Sequence, residues 1–123
     1  MNPLRFLRLA SVALIVLGIL GIVGILGTIS SAGFFHPPYW INWVHLILGI
    51  FVLFTALKGN TKQQAMVTSI PMVLGTALGL IGLLFGRFLA DRYAIPELAD
   101  PSDHIAHLTV GILATWAWFN RKK

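Results

Sequence analysis

The chain is 123 residues long, with 57% hydrophobic side chains and only 11% charged ones. An ordinary soluble domain is about one quarter charged, so this composition cannot cover a water-facing surface. Cysteine is absent, which excludes disulfides, thiolate metal sites and thiol nucleophiles. The net charge of +5 lies between apolar runs rather than along one face, which points to a membrane and away from nucleic acid.

A helix needs about 20 mainly apolar residues to cross the hydrocarbon core. Backbone groups in lipid must be bonded within their own segment, so each long apolar run is predicted to be helical. Leu9 to Ile29 is the first run, giving a helix over about 5–30. Arg5 and Arg8 before it and Ser30-Ser31-Ala32 after it resemble a signal peptide. The run is longer than the roughly 7–15 apolar residues of such signals, so it is read as a retained helix. Trp40 to Leu57 gives a helix over about 39–58, and Ala65 to Phe85 one over about 62–88. Thr61 and Gln64 form a candidate capping box, and Pro71 should kink that helix in its first half. Arg87 to Asp100 reads as an outer-surface loop. Ile105 to Phe119, with the turn before it, gives a helix over about 101–120. There Asp100 is a candidate N-cap, Pro101 a first helical residue and Asp103 a first-turn acid.

Charge sets the expected orientation. Arg5, Arg8, Lys58, Lys62, Arg121, Lys122 and Lys123 lie at one end. The other holds Arg87 and Arg92 with all four acids, Asp91, Glu97, Asp100 and Asp103. The positive-inside rule puts both termini in the cytoplasm. Tyr39, Trp40 and Trp43 would form an outer aromatic belt, and Trp116, Trp118 and Phe119 an inner one.

The chain also matches itself. LGILGIVGILG (Leu17 to Gly27) and LGTALGLIGLLFG (Leu74 to Gly86) are glycine-rich, and each precedes a helix with the frame His-Leu-x-x-Gly-Ile. The expectation is one transmembrane domain over residues 1–123: an all-α four-helix bundle of two duplicated helical hairpins, N-in and C-in. Both copies start on the same side, so the repeat is parallel rather than inverted. Gly75, Gly79, Gly82 and Gly86 form a stripe for close helix packing.

Asn42, His45 and Gly49 share a face of the second helix, and Asp103, His107 and Gly111 share a face of the fourth. Both imidazoles are expected at one depth near the outer leaflet, where polar side chains need interior partners. Three readings are open. His45 and His107 are a structural clamp, with Asn42 and Asp103 as the polar pair. Or they ligate a tetrapyrrole, haem or chlorophyll, with Gly49 and Gly111 making room for the ring. Or they hold a metal with Asp103, although a fourth ligand is not evident. His104 and His36 read as surface residues.

NWVHLILG (Asn42 to Gly49) and DHIAHLTVG (Asp103 to Gly111), each after a glycine-rich helix, resemble a family of small four-helix bacterial and cyanobacterial membrane proteins, known only as a domain of unknown function. The resemblance covers nearly the whole chain and implies a fold, not an activity. Its motif positions fall on Asn42, His45, Gly49, Asp103, His107 and Gly111. His104 beside Asp103 is an addition to the pattern.

No catalytic triad, zinc helix or nucleotide loop is present, so no enzyme is expected. The first helix carries no acid, so proton-coupled export lacks its carrier. The expected role is a non-enzymatic accessory or structural subunit in a bacterial cytoplasmic or thylakoid membrane. Its partners would be the bilayer and either other subunits or itself. The alternative is a tetrapyrrole-binding module ligated by His45 and His107.

Overall fold

The computed structural model describes residues 1–26, 39–95 and 99–121. It is all-helical, with four long helices: α1 (Pro3–Ile22), α2 (Tyr39–Lys58), α3 (Thr61–Tyr93) and α4 (Pro101–Phe119). By length and composition α1, α2 and α3 can cross a membrane. The first two turns of α4 hold Ser102, Asp103, His104 and His107, and α4 is not among the three. Ser30 to Ala32, His36, Glu97, Lys122 and Lys123 lie outside the described residues.

Local chemistry sets the helix ends. Asn2 caps α1 by accepting from the Arg5 N–H at 3.0 Å. The first helix stops earlier than its apolar run implies. Gly24 has φ +80, a left-handed conformation open to glycine at no steric cost and closed to a regular right-handed helix. Gly59 and Asn60 alone separate α2 from α3. The capping box that opens α3 is Asn60 with Gln63, not Thr61 with Gln64. Gln64 instead donates to the Gly59 carbonyl.

The helix α3 continues through Pro71, whose missing N–H leaves the Val67 carbonyl without its usual bond. It also runs past Arg87 to Tyr93, so half of the expected outer loop is helix. Ala94, at φ 53, caps it. Its 33 residues span about 50 Å at 1.5 Å per residue. Asp100 caps α4, with Pro101 in the first turn, as its sequence implies.

The helices pack in two antiparallel pairs, α1 with α2 and α3 with α4, and contacts between the pairs are far sparser. In particular, α2 and α4 scarcely touch. What joins the pairs is one core at the end carrying the N-terminus and the start of α3. Phe6, Leu7, Ala56, Val67, Ala114 and Ala117 form it, with Ser11 and Thr68 fully buried beside them. The residues are mostly small, which lets helices approach closely, as helices that pack in lipid by van der Waals contact require. The Ser11, Thr55, Thr68, Thr109 and Thr115 hydroxyls each donate to a carbonyl three or four residues back. That satisfies them without a partner helix.

The large apolar side chains point outward along every helix, among them Val12, Ile47, Phe54, Leu84 and Ile112. Tyr39, Trp40 and Trp43 are exposed at the start of α2, and Trp116 and Phe119 at the end of α4. Arg121 stacks its guanidinium 3.3 Å over the Trp118 ring.

Candidate functional site

Within each helix pair the two helices meet through matching contacts. In the first, Gly18 faces α2 so closely that a Cβ there would lie 2.7 Å from the Leu46 nitrogen. In the second, a Cβ on Gly79 would lie 2.6 Å from the Leu108 nitrogen. One turn further on, Gly21 receives the side-chain amide of Asn42, and Gly82 receives the ring of His104. On the opposite helices, Gly49 packs on Leu14 and Ile15, and Gly111 packs on Gly75 and Thr76. Gly86 is buried in line with Gly75 and Gly79. The glycine stripe of α3 is therefore the seat of α4.

These contacts correct two expectations. The room expected beside Gly49 and Gly111 for a flat ring is filled by α1 and α3. And the α4 residue that occupies the place Asn42 holds on α2 is His104, not Asp103. His104 is only 7% exposed, whereas its neighbour Asp103 keeps a side chain 40% exposed. The signal was in the spacing. Asn42, His45, Leu46 and Gly49 recur 62 positions on as His104, His107, Leu108 and Gly111. Reading Asp103 as the partner of Asn42 put polarity ahead of register.

His107 is turned onto its own helix. Its Nδ1 lies 2.8 Å from the Asp103 carbonyl oxygen and 3.5 Å from Asp103 Oδ2. A carbonyl only accepts, so Nδ1 is the donor in this contact, and in the neutral ring Nε2 is then the acceptor. His45 is half-buried on α2 and lies within electrostatic reach of His107 and Asp103. Its Nδ1 is buried without a hydrogen-bond partner, and so is Oδ1 of Asn42, one turn earlier. A buried polar atom left unbonded costs about 1–3 kcal/mol. The expected clamp is thus not made by these atoms: His107 bonds within α4, and His45 Nδ1 and Asn42 Oδ1 bond to nothing. Nor do His45, His107 and Asp103 gather as metal ligands. Among the described residues no three His, Asp or Glu side chains could hold an ion.

The start of α4 is fixed by Asp100. One carboxylate oxygen accepts from the Ser102 N–H at 2.9 Å and from the Ser102 hydroxyl at 2.5 Å. Burial works to raise the Asp100 pKa. The two Ser102 bonds, attraction to His104 and the Asp103 N–H outweigh it and hold the carboxyl below its usual range.

Comparison with known proteins gives no matching family model, no matching curated protein and no matching solved structure.

Proposed function

We propose that this chain is a non-enzymatic integral membrane protein that acts as an accessory or structural subunit, packed within a larger membrane complex or against copies of itself. The observation that carries this reading is the inside-out distribution of side chains. Glycine, alanine, serine and threonine make up much of the helix interfaces, while most of the large apolar residues point outward. Such a surface suits lipid and neighbouring helices, and the described residues add no soluble domain to it.

In this reading the bundle consists of two copies of one helical hairpin, and α4 crosses the membrane like the other three. Support comes from register. Gly18 and Gly79, then Gly21 and Gly82, stand 61 positions apart. Their opposite numbers on α2 and α4 stand 62 apart and make the same contacts. Both termini lie in the cytoplasm, because Arg5, Arg8, Lys58, Lys62 and Arg121 cluster at their end. The histidines then lie near the outer leaflet of a bacterial cytoplasmic or thylakoid membrane. The likeness to the small four-helix bacterial and cyanobacterial family belongs to this same reading.

A second reading is a tetrapyrrole module with His45 and His107 as axial ligands. It is favoured by the His107 Nδ1 bond, which leaves Nε2 available as an axial ligand requires. One purification tests both. The protein is extracted in mild detergent from a source that makes haem and chlorophyll. Its visible spectrum is taken before and after dithionite, and the particle mass is measured. A colourless particle heavier than one chain supports the subunit reading. A Soret band that shifts on reduction, or a red chlorophyll band, establishes the second. A colourless monomer sinks both.

A further inference from the structure

The end that holds the core shared by all four helices also holds most of the positive charge. Arg5 and Arg8 flank Phe6 and Leu7, Lys58 follows Ala56, Lys62 opens the helix that buries Val67, and Arg121 follows Ala117. Each helix thus brings a cation to this end, within it or just beyond its last residue. Arg5, Arg8, Lys58 and Lys62 are exposed, and among the described residues none of them is paired with a carboxylate. Asp91, Asp100 and Asp103 stand at the opposite end. The 19 residues of α4 put about 28 Å between the two ends, several times the Debye length of about 8 Å. The acids therefore cannot neutralise the cations. Like charge gathered around a core opposes its compactness, so the counter-charge has to come from outside the chain.

The apolar surface beside the cations identifies its source. Residues four apart share a helix face, and for each exposed cation the residue four positions toward the middle of its helix is large, apolar and exposed. It is Leu9 for Arg5, Val12 for Arg8, Phe54 for Lys58 and Met66 for Lys62. Because α2 runs toward this end while α1 and α3 run away from it, all four apolar neighbours lie deeper by the same step, about 6 Å. Arg121 repeats the theme, with its guanidinium over the Trp118 ring and the exposed Phe119 beside it. A cation above an exposed apolar strip, repeated around the bundle, matches an amphiphile with an anionic head and hydrocarbon chains. A nucleic acid or an acidic protein segment would use the cations and leave the strips uncovered.

We propose that the end bearing Arg5, Arg8, Lys58, Lys62 and Arg121 binds the headgroups of anionic phospholipids, whose phosphates stabilise the bundle by neutralising the charge around its common core. This rests on the chain lying in a bilayer, as in the reading above. The positive-inside rule concerns only the side that cations face. Here the bundle in addition selects its neighbouring lipid, and both helix pairs gain from the same layer of phosphate because both contribute to the core and to the cations.

The test uses the full-length protein in nanodiscs of phosphatidylcholine and phosphatidylglycerol in equal amounts, which leave both faces open whatever the orientation. Lipid that stays with the protein in neutral detergent is counted by mass spectrometry at about 0.05 M and about 0.5 M sodium chloride. At the lower salt phosphatidylglycerol should be enriched about fivefold for each cation engaged, and at the higher salt the enrichment should fall toward one. Arg5→Gln, Arg8→Gln, Lys58→Gln and Lys62→Gln together should abolish it with the far-UV circular dichroism unchanged, since all four side chains are exposed. Lys58→Arg with Lys62→Arg keeps the charge and should keep the enrichment. Arg87→Gln with Arg92→Gln, at the other end, should leave it unaltered. The parent should also unfold at a higher temperature with phosphatidylglycerol than without, and the quadruple variant should not. Equal retention of the two lipids, enrichment that survives high salt or the four glutamines, or enrichment lost with Arg87 and Arg92 instead would overturn the proposal. So would stoichiometric polyglutamate displacing the phosphatidylglycerol, which would name an acidic protein segment as occupant. If the quadruple variant does not fold, the salt series and the Arg87 and Arg92 pair decide. Assembly with partners but no lipid enrichment overturns this proposal alone, and enrichment without any assembly overturns the subunit reading alone.

Discussion

Gly79→Ala measures the interface between α3 and α4 most directly. The added methyl would sit 2.6 Å from Leu108 Cβ, 2.6 Å from Leu108 N and 2.7 Å from Leu108 Cα. Carbon atoms rest about 3.5–4.0 Å apart at their best separation, so α3 and α4 must move apart locally by about 1 Å. Two of the three atoms are backbone, and no rotamer change relieves them. Forcing a methyl into a packed interface costs about 1–3 kcal/mol, and the near-uniform closeness here argues for the upper end. Alanine returns up to about 1 kcal/mol of helix propensity, leaving a net loss of about 2 kcal/mol. Reversible unfolding by SDS in mixed micelles, followed by far-UV circular dichroism, reads that difference. Leu108→Ala should not rescue the variant, because alanine keeps all three clashing atoms. A Gly79→Ala protein as stable as the parent, or one rescued by Leu108→Ala, would refute the packing argument.

Two further perturbations probe polar groups. Asn42→Leu keeps the branched shape that fits Gly21 and removes the unbonded Oδ1; the same SDS titration should show it more stable by about 1 kcal/mol, and a large loss would mean that the amide has a partner in the bilayer. Asp100→Ala removes an N-cap and should cost about 1 kcal/mol. The Asp100 carboxyl is held below its usual range, so its contribution is complete above the ordinary value of about 4 and disappears as pH falls through its lower folded value. Asp100→Asn should flatten that acid limb, and a stability profile identical to the parent's below pH 4 would contradict the assignment.

Much of the architecture could be read from residue order because runs long and apolar enough to cross a membrane leave the chain few choices. A run such as Trp40 to Leu57 has to be a helix, and it is one over Tyr39–Lys58. Asp100-Pro101 marks a helix start by chemistry alone, since an acceptor precedes a residue with no N–H to satisfy. The end of α1 was not legible. Gly18, Gly21 and Gly24 look alike in the sequence, but the first two accept α2 and the third turns the backbone left-handed. Hydropathy is blind to that difference. The start of α3 shifted by one residue because Asn60 and Thr61 are both competent caps, and Gln63 completes the box with Asn60. At the site, the sequence brought out His45 and His107 but passed over His104. A histidine beside an aspartate resembles a helix-end surface residue. The 62-residue register points to it, and the contact with Gly82 shows that it fills an interface.

The single shared core also divides the molecule by cooperativity. Breaking the contacts of Phe6, Leu7 or Ala114 disturbs all four helices at once, so that end can open only with the whole bundle. At the histidine end each pair can loosen while the other stays closed, which places local opening there well below the cost of global unfolding. One helix, α2 or α4, thus belongs to two regimes along its own length. Its half beside the common core is locked to the global transition, and its polar half can fluctuate without the rest of the molecule.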